Sequence, residues 1–139
     1  MKVYKLLITV LILFISIEVS AQVAVIANKS VSDNSINIGK VTDIYNLKAK
    51  TWSDGKAVVP LTYRSDNDAS NKFFSAVGKS SMDMKKIWMR LQLTGEGQAP
   101  EGMGSEDDLI NKVASTPGAI GFVSASKVND KVKVLMTIN

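Results

Sequence analysis

Hydrophobic positions along this chain change rhythm several times, and each change marks an element. Residues 6 to 17 are almost wholly apolar, whereas "VAVIANKSV" from Val23 holds a short β-branched run and then turns polar. That pattern predicts a buried strand at 23 to 26 emptying into a loop. In "INIGKVTDIYNLKAKTW", Ile38, Val41, Ile44 and Tyr45 recur at helical spacing and are expected to share one buried face. The turn "SDG" at 53 to 55 separates this helix from "KAVVPLTYR", which has strand composition, with Pro60 pointing to an edge or a strand end. Asp66, Asn67, Asp68 and Ser70 are good helix starters ahead of Phe73, Phe74 and Val77, so the next helix begins around 68 to 70. Met84, Ile87, Trp88 and Leu91 predict a second amphipathic helix, its Met and Trp stripe serving as core. "TGEGQAPEGMGSEDD" reads as an irregular loop, ended by Ser105 and Asp108 at capping-box spacing before the helical pattern Leu109, Ile110, Val113. A turn and short strand in "TPGAIGFVSAS" and a strand in "KVKVLMTI" complete the order. One strand, a helix, a strand, three helices and two strands predict an α/β fold, a mixed sheet covered by helices.

The amino-terminal run alters the domain picture. Two lysines, an apolar core from Leu6 to Ile17 and Val19-Ser20-Ala21 before Gln22 have the order of a secretory signal peptide. The core is too short for a membrane span of about 20 residues. Residues 1–21 are therefore read as signal peptide and 22–139 as one domain, periplasmic or secreted, with no membrane span after cleavage; the alternative is an uncleaved anchor. Setting the leader aside removes two lysines and one glutamate, so the formal charge falls from +4 to +3. The remaining cations are scattered among carboxylates, which is not a nucleic-acid surface.

Candidate chemistry narrows further because the chain contains neither cysteine nor histidine. Disulfides, the usual zinc sites and Ser-His or Cys-His nucleophile pairs cannot be assembled. The chain is expected not to be an enzyme and to need no cofactor.

The stretch "YRSDNDASNKFF", residues 63 to 74, is the strongest candidate for binding. A helix starting at 68 to 70 exposes unpartnered N–H groups at the positive end of its dipole, and it does so at the carboxyl end of a strand. Arg64 adds a planar fork of donors suited to phosphate or carboxylate, and Ser70 a hydroxyl. Asp66 and Asp68 oppose an anion. In this reading Asp66 pairs with Arg64 and aims it. The alternative is structural: Asp68 caps the helix and the ion pair lies idle on the surface.

Three stretches, "VTDIYNLKAKTWSDG", "VVPLTYRSDNDASNKFF" and "VASTPGAIGFVSAS", occur in the same order as in the phosphate-specific periplasmic binding proteins of ABC transporters, which the chain resembles. The resemblance implies a single periplasmic-binding-protein-like lobe, the one inserted in the middle of those two-lobed proteins. It also implies an anion site. Arg64 matches the family's anion-binding arginine and Asp66 its orienting aspartate. Asp68 stands where the family has a phosphate-binding serine, Ala69 where it has glycine, and Ser70 where it has threonine. The exchange of serine for Asp68 replaces a donor with a like charge.

Two functional readings follow. In the first, the protein is solute-binding-like and holds phosphate or a similar oxyanion weakly through Arg64, the N–H groups around 68 to 71 and Ser70. It would work with a transporter permease or with a second chain supplying the missing lobe. In the second, the anion site has decayed, Arg64 is closed on Asp66 or Asp68, and the former cleft docks a protein partner. Glu106, Asp107 and Asp108 would repel an anion if they lie near the cleft.

Overall fold

The computed structural model describes residues 21–139, so the signal-peptide reading falls outside it. The described chain forms five strands, β1 (Val23–Ala27), β2 (Val59–Tyr63), β3 (Glu101–Met103), β4 (Ala119–Ser124) and β5 (Lys133–Ile138). Four helices accompany them: α1 (Ile38–Tyr45), α2 (Asp68–Ala76), α3 (Ser81–Leu93) and α4 (Glu106–Ser115). The strands make one mixed sheet in the order β3-β2-β4-β1-β5. β2 runs parallel to β3 and β4, while β1 is antiparallel to β4 and β5.

Helices cover both faces of the sheet, which is why β1, with neighbours on both sides, is buried along its whole length. Alternation along β4 sorts the two layers. Phe122 points to the face of α1 and α2, where its ring stacks on Phe73 at 3.9 Å and meets Tyr45 and Phe74 edge-on. Trp88 of α3 extends this cluster through Phe74. The opposite face takes α4, and Gly121 permits the approach, because a Cβ there would lie 2.6 Å from Leu109 Cδ2. Both tryptophans are core: Trp52 Nε1 donates to Gly118 O at 2.9 Å and Trp88 Nε1 to Tyr45 O at 2.7 Å.

The fold departs from the sequence pattern in three places. β3 lies within the stretch read as an irregular loop, where it adds to the free edge of β2 by pairing Leu61–Tyr63 with Glu101–Met103. Pro60 precedes that pairing, so its missing N–H falls where β2 has no β3 partner. Ile38 begins α1 and is 39% exposed, leaving Val41, Ile44 and Tyr45 as the buried face. In β5 the register slips opposite Val25 and Ile26, which makes Leu135 the extra residue of a bulge and interrupts the lysine–apolar alternation.

Among the described residues no helix is long and apolar enough to cross a membrane. All five strands, all four helices and the whole described core lie within residues 22–139.

Candidate anion site at the carboxyl edge of the sheet

β2, β3 and β4 run in one direction, so their carboxyl ends share one edge of the sheet. Arg64 follows β2, the first turn of α4 follows β3, and Ser124 closes β4. The two ends of the described chain come to the same edge: Val23 pairs with both Ser124 and Ile138, and Gln22 Nε2 donates to Asn139 Oδ1 at 2.7 Å. In open α/β sheets this edge is where ligands are held.

The start of α2 is organised by Asn67, which corrects the assignment of the cap to Asp68. Asn67 Oδ1 accepts from Ser70 N and Ser70 Oγ accepts from Asn67 N, each at 2.8 Å, a reciprocal capping box. Asp68 is instead the first helical residue, exposed, with its charge at the positive end of the dipole. Ser70 is buried, and its hydroxyl also donates to Asn67 O at 3.0 Å, so that hydroxyl belongs to the cap. Ala69 is buried as well, but its backbone N–H and that of Asp68 have no acceptor among the described residues. These two donors are the open part of the helix terminus.

Arg64 does not pair with Asp66 or with Asp68, which corrects both versions of the closed pair. Asp66 Oδ1 accepts from Ser81 Oγ at 2.5 Å and lies 3.7 Å from Lys85 Nζ, so it ties the loop before α2 to the start of α3. The packing of α3 beside α2 brings the hydroxyl of Ser81 to the Asp66 carboxylate, and this partner takes it from the arginine. Arg64 lies across β3, with Nε donating to Gly102 O at 3.2 Å. Gly102 makes room for it, since a Cβ there would sit 3.1 Å from Arg64 Cγ. Gly104 leaves open space between Arg64 and Asp108, since a Cβ there would lie 3.7 Å from Arg64 Nη1 and 3.5 Å from Asp108 Oδ2, and no carboxylate forms an ion pair with the guanidinium among the described residues.

Glu106, Asp107 and Asp108 occupy the first turn of α4 on this same edge. Ser105 caps that helix by accepting from Asp108 N at 3.1 Å, the forward half of the expected box. Glu106 Oε1 accepts from Ser124 N and Ser124 Oγ at 2.8 and 2.7 Å and so fastens α4 to the end of β4. Burial, and secondarily the charge of Glu106, pushes the Tyr63 hydroxyl well above its ordinary value. The edge thus carries Arg64 and two free N–H groups among five carboxylates. Among the described residues no cluster of carboxylates is arranged to hold a metal ion. Asn67 and Glu106, which do most to shape the edge, were not singled out as site residues. For Asn67 the signal was present, because asparagine three residues before serine is good capping chemistry.

Neither protein-family models nor curated proteins match the sequence. Solved structures do. One from Clostridium perfringens, described as a phosphate ABC transporter substrate-binding protein with bound phosphate, superposes with a TM-score of 0.64 at 21% identity over 83% of this chain. An ABC-type phosphate transport receptor from Vibrio cholerae gives 0.63 at 14% identity over 84%. PstS from Borrelia burgdorferi gives 0.57 at 14% over 83%. The chain shares its mixed α/β fold with one part of each of these structures. This chain spans 45%, 47% and 47% of those three structures, less than half of each. The likeness carries fold, and the chemistry rests on the edge described above.

Proposed function

We propose that the protein is a solute-binding-like protein of the cell envelope that holds phosphate or a similar oxyanion weakly at the carboxyl edge of its sheet. One observation carries this reading: among the described residues, Arg64 presents a guanidinium with no carboxylate partner on the edge where the N–H groups of Asp68 and Ala69 have no acceptor. A tetrahedral oxyanion accepts from such donors, and the dipole of α2 favours its charge. Asp66 acts by holding the loop rather than by aiming the arginine, and Ser70 by fixing the cap. With each charge-assisted bond contributing about 1.5–3 kcal/mol and five carboxylates nearby, affinity is expected in the millimolar range. A second chain covering the edge would supply further donors and exclude water.

The alternative, a protein-docking module, draws on a different observation. The Ser70 hydroxyl is absorbed by the capping box and Asp68 replaces a donor with a charge, so the edge has lost part of an anion site's equipment. Isothermal titration of residues 22–139 with phosphate at low salt separates the two. Saturable heat that disappears in Arg64→Ala supports the oxyanion site, and comparison with sulfate ranks the anions. No heat up to tens of millimolar phosphate, a range set by the affinity expected above, rejects it in favour of docking.

A further inference from the structure

The outer face of α3 is unlike that of an ordinary solvated helix. Met82, Met89 and Leu93 are 66%, 65% and 82% exposed. They are seven and four residues apart, two turns and one, so they form a single strip opposite the buried Met84 and Trp88. Lys85, Lys86 and Arg90, all exposed, flank this strip on the same helix. Beside it opens a groove of about 810 Å³ between α3 and the loop after α1, lined by Lys48, Lys50, Lys79 and Arg90 among apolar Leu47, Ile87 and Leu91. The carboxylates of the region are fewer: Asp83 heads the helix, Glu96 lines the groove and Asp66 takes Lys85 at 3.7 Å.

An apolar strip flanked by cations, on a helix whose other face is already packed, is suited to one kind of surface. Protein hot spots are enriched in Trp, Tyr and Arg anchors seated in pockets. Here the apolar groups are flexible Met and Leu side chains that protrude from a ridge, and the charges around them are mainly positive. Such side chains enter the headgroup boundary of a bilayer without needing a complementary shape, while lysine and arginine meet lipid phosphates. The geometry points to α3 and its adjoining groove as a docking surface for an anionic phospholipid membrane. The helix lies in the plane of the surface with Met82, Met89 and Leu93 inserted and Lys85, Lys86 and Arg90 against phosphates. The carboxyl edge of the sheet meets this surface at Asp66, which holds Lys85 at 3.7 Å, so Lys86 and Arg90 are the cations free of it.

Co-sedimentation of residues 22–139 with vesicles tests this assignment, using phosphatidylcholine alone and phosphatidylcholine mixed with phosphatidylglycerol. Binding is expected to the mixed vesicles only, and to weaken as salt rises. Lys86→Gln with Arg90→Gln should reduce partition on the order of twentyfold, and Met89→Ser with Leu93→Ser about tenfold or more. All four side chains are exposed, so thermal unfolding of both variants is expected to match the parent. Failure to bind mixed vesicles at low salt, equal binding to phosphatidylcholine, or binding indifferent to the Met89 and Leu93 changes would overturn the proposal. Dimerisation without lipid that is lost on changing Met89 and Leu93 would also overturn it, and would make a second copy the occupant.

Discussion

At Asp68 stability and affinity pull in opposite directions. A carboxylate on the first residue of a helix gains about 0.3–1 kcal/mol from the dipole. The same charge stands beside the two N–H groups of the α2 terminus that have no acceptor among the described residues, and it repels any anion they would hold. Asp68→Ser is therefore expected to lower stability by under about 1 kcal/mol and to strengthen phosphate binding about tenfold. Thermal unfolding and titration of the same variant read the two effects separately. Unchanged or weaker phosphate binding would take the α2 terminus out of the site. Asn67 is a contrasting case, with a side chain committed to structure. Asn67→Ala removes the acceptor for Ser70 N and should cost about 1–2 kcal/mol in urea unfolding, whereas Asn67→Asp should cost little.

Elements with a complete local signal were legible in the sequence, and those defined by a neighbour were not. α4 could be read because Ser105 caps it, its first turn is acidic, and Leu109, Ile110 and Val113 repeat on one face. β3 could not, because "EGM" in a glycine-rich stretch has no strand propensity of its own. Its extended state comes from the unpaired edge of β2. The same division runs through the candidate site. That a helix begins near Arg64 was visible in Asp66 to Ser70, and the helix does start at Asp68. The partner of Asp66 was not visible, since Ser81 and Lys85 are reached only once α3 folds back beside α2. The strip on α3 escaped for a related reason. Periodicity reports the stripe that packs, so Met84 and Trp88 account for the helix and leave Met82, Met89 and Leu93 without a signal of their own.

At the scale of the whole molecule, two tyrosines join the aromatic core to the sheet, and one of them lies under the carboxyl edge. Residues 22–139 contain two tyrosines, Tyr45 and Tyr63, and both face the Phe122 ring edge-on. Tyr45 donates to Leu61 O at 2.8 Å and Tyr63 to Phe122 O at 2.6 Å, so each hydroxyl ties a helix or strand to the middle of the sheet. Ionisation of either would place a phenolate against a carbonyl oxygen in a desolvated interior. Burial first, then the influence of Tyr63 on Tyr45 and of Glu106 on Tyr63, raises both hydroxyls above the ordinary value of 10.0. In the unfolded chain they lose protons near that ordinary value, while in the folded chain they keep them. The stability they contribute is therefore fully present below pH 10 and declines above it, by up to about 1.4 kcal/mol per pH unit for each tyrosine. Urea unfolding from pH 8 upward should show this decline, and Tyr45→Phe should roughly halve its slope, leaving the Tyr63 share, while lowering stability near neutrality through the lost bond to Leu61. On alkaline titration, phenolate absorbance should rise together with the loss of helical signal, in one transition. A separate earlier absorbance step would show that Tyr63 opens to solvent while the core holds. The carboxyl edge carrying Arg64 and Glu106 would then move independently of the aromatic cluster beneath it.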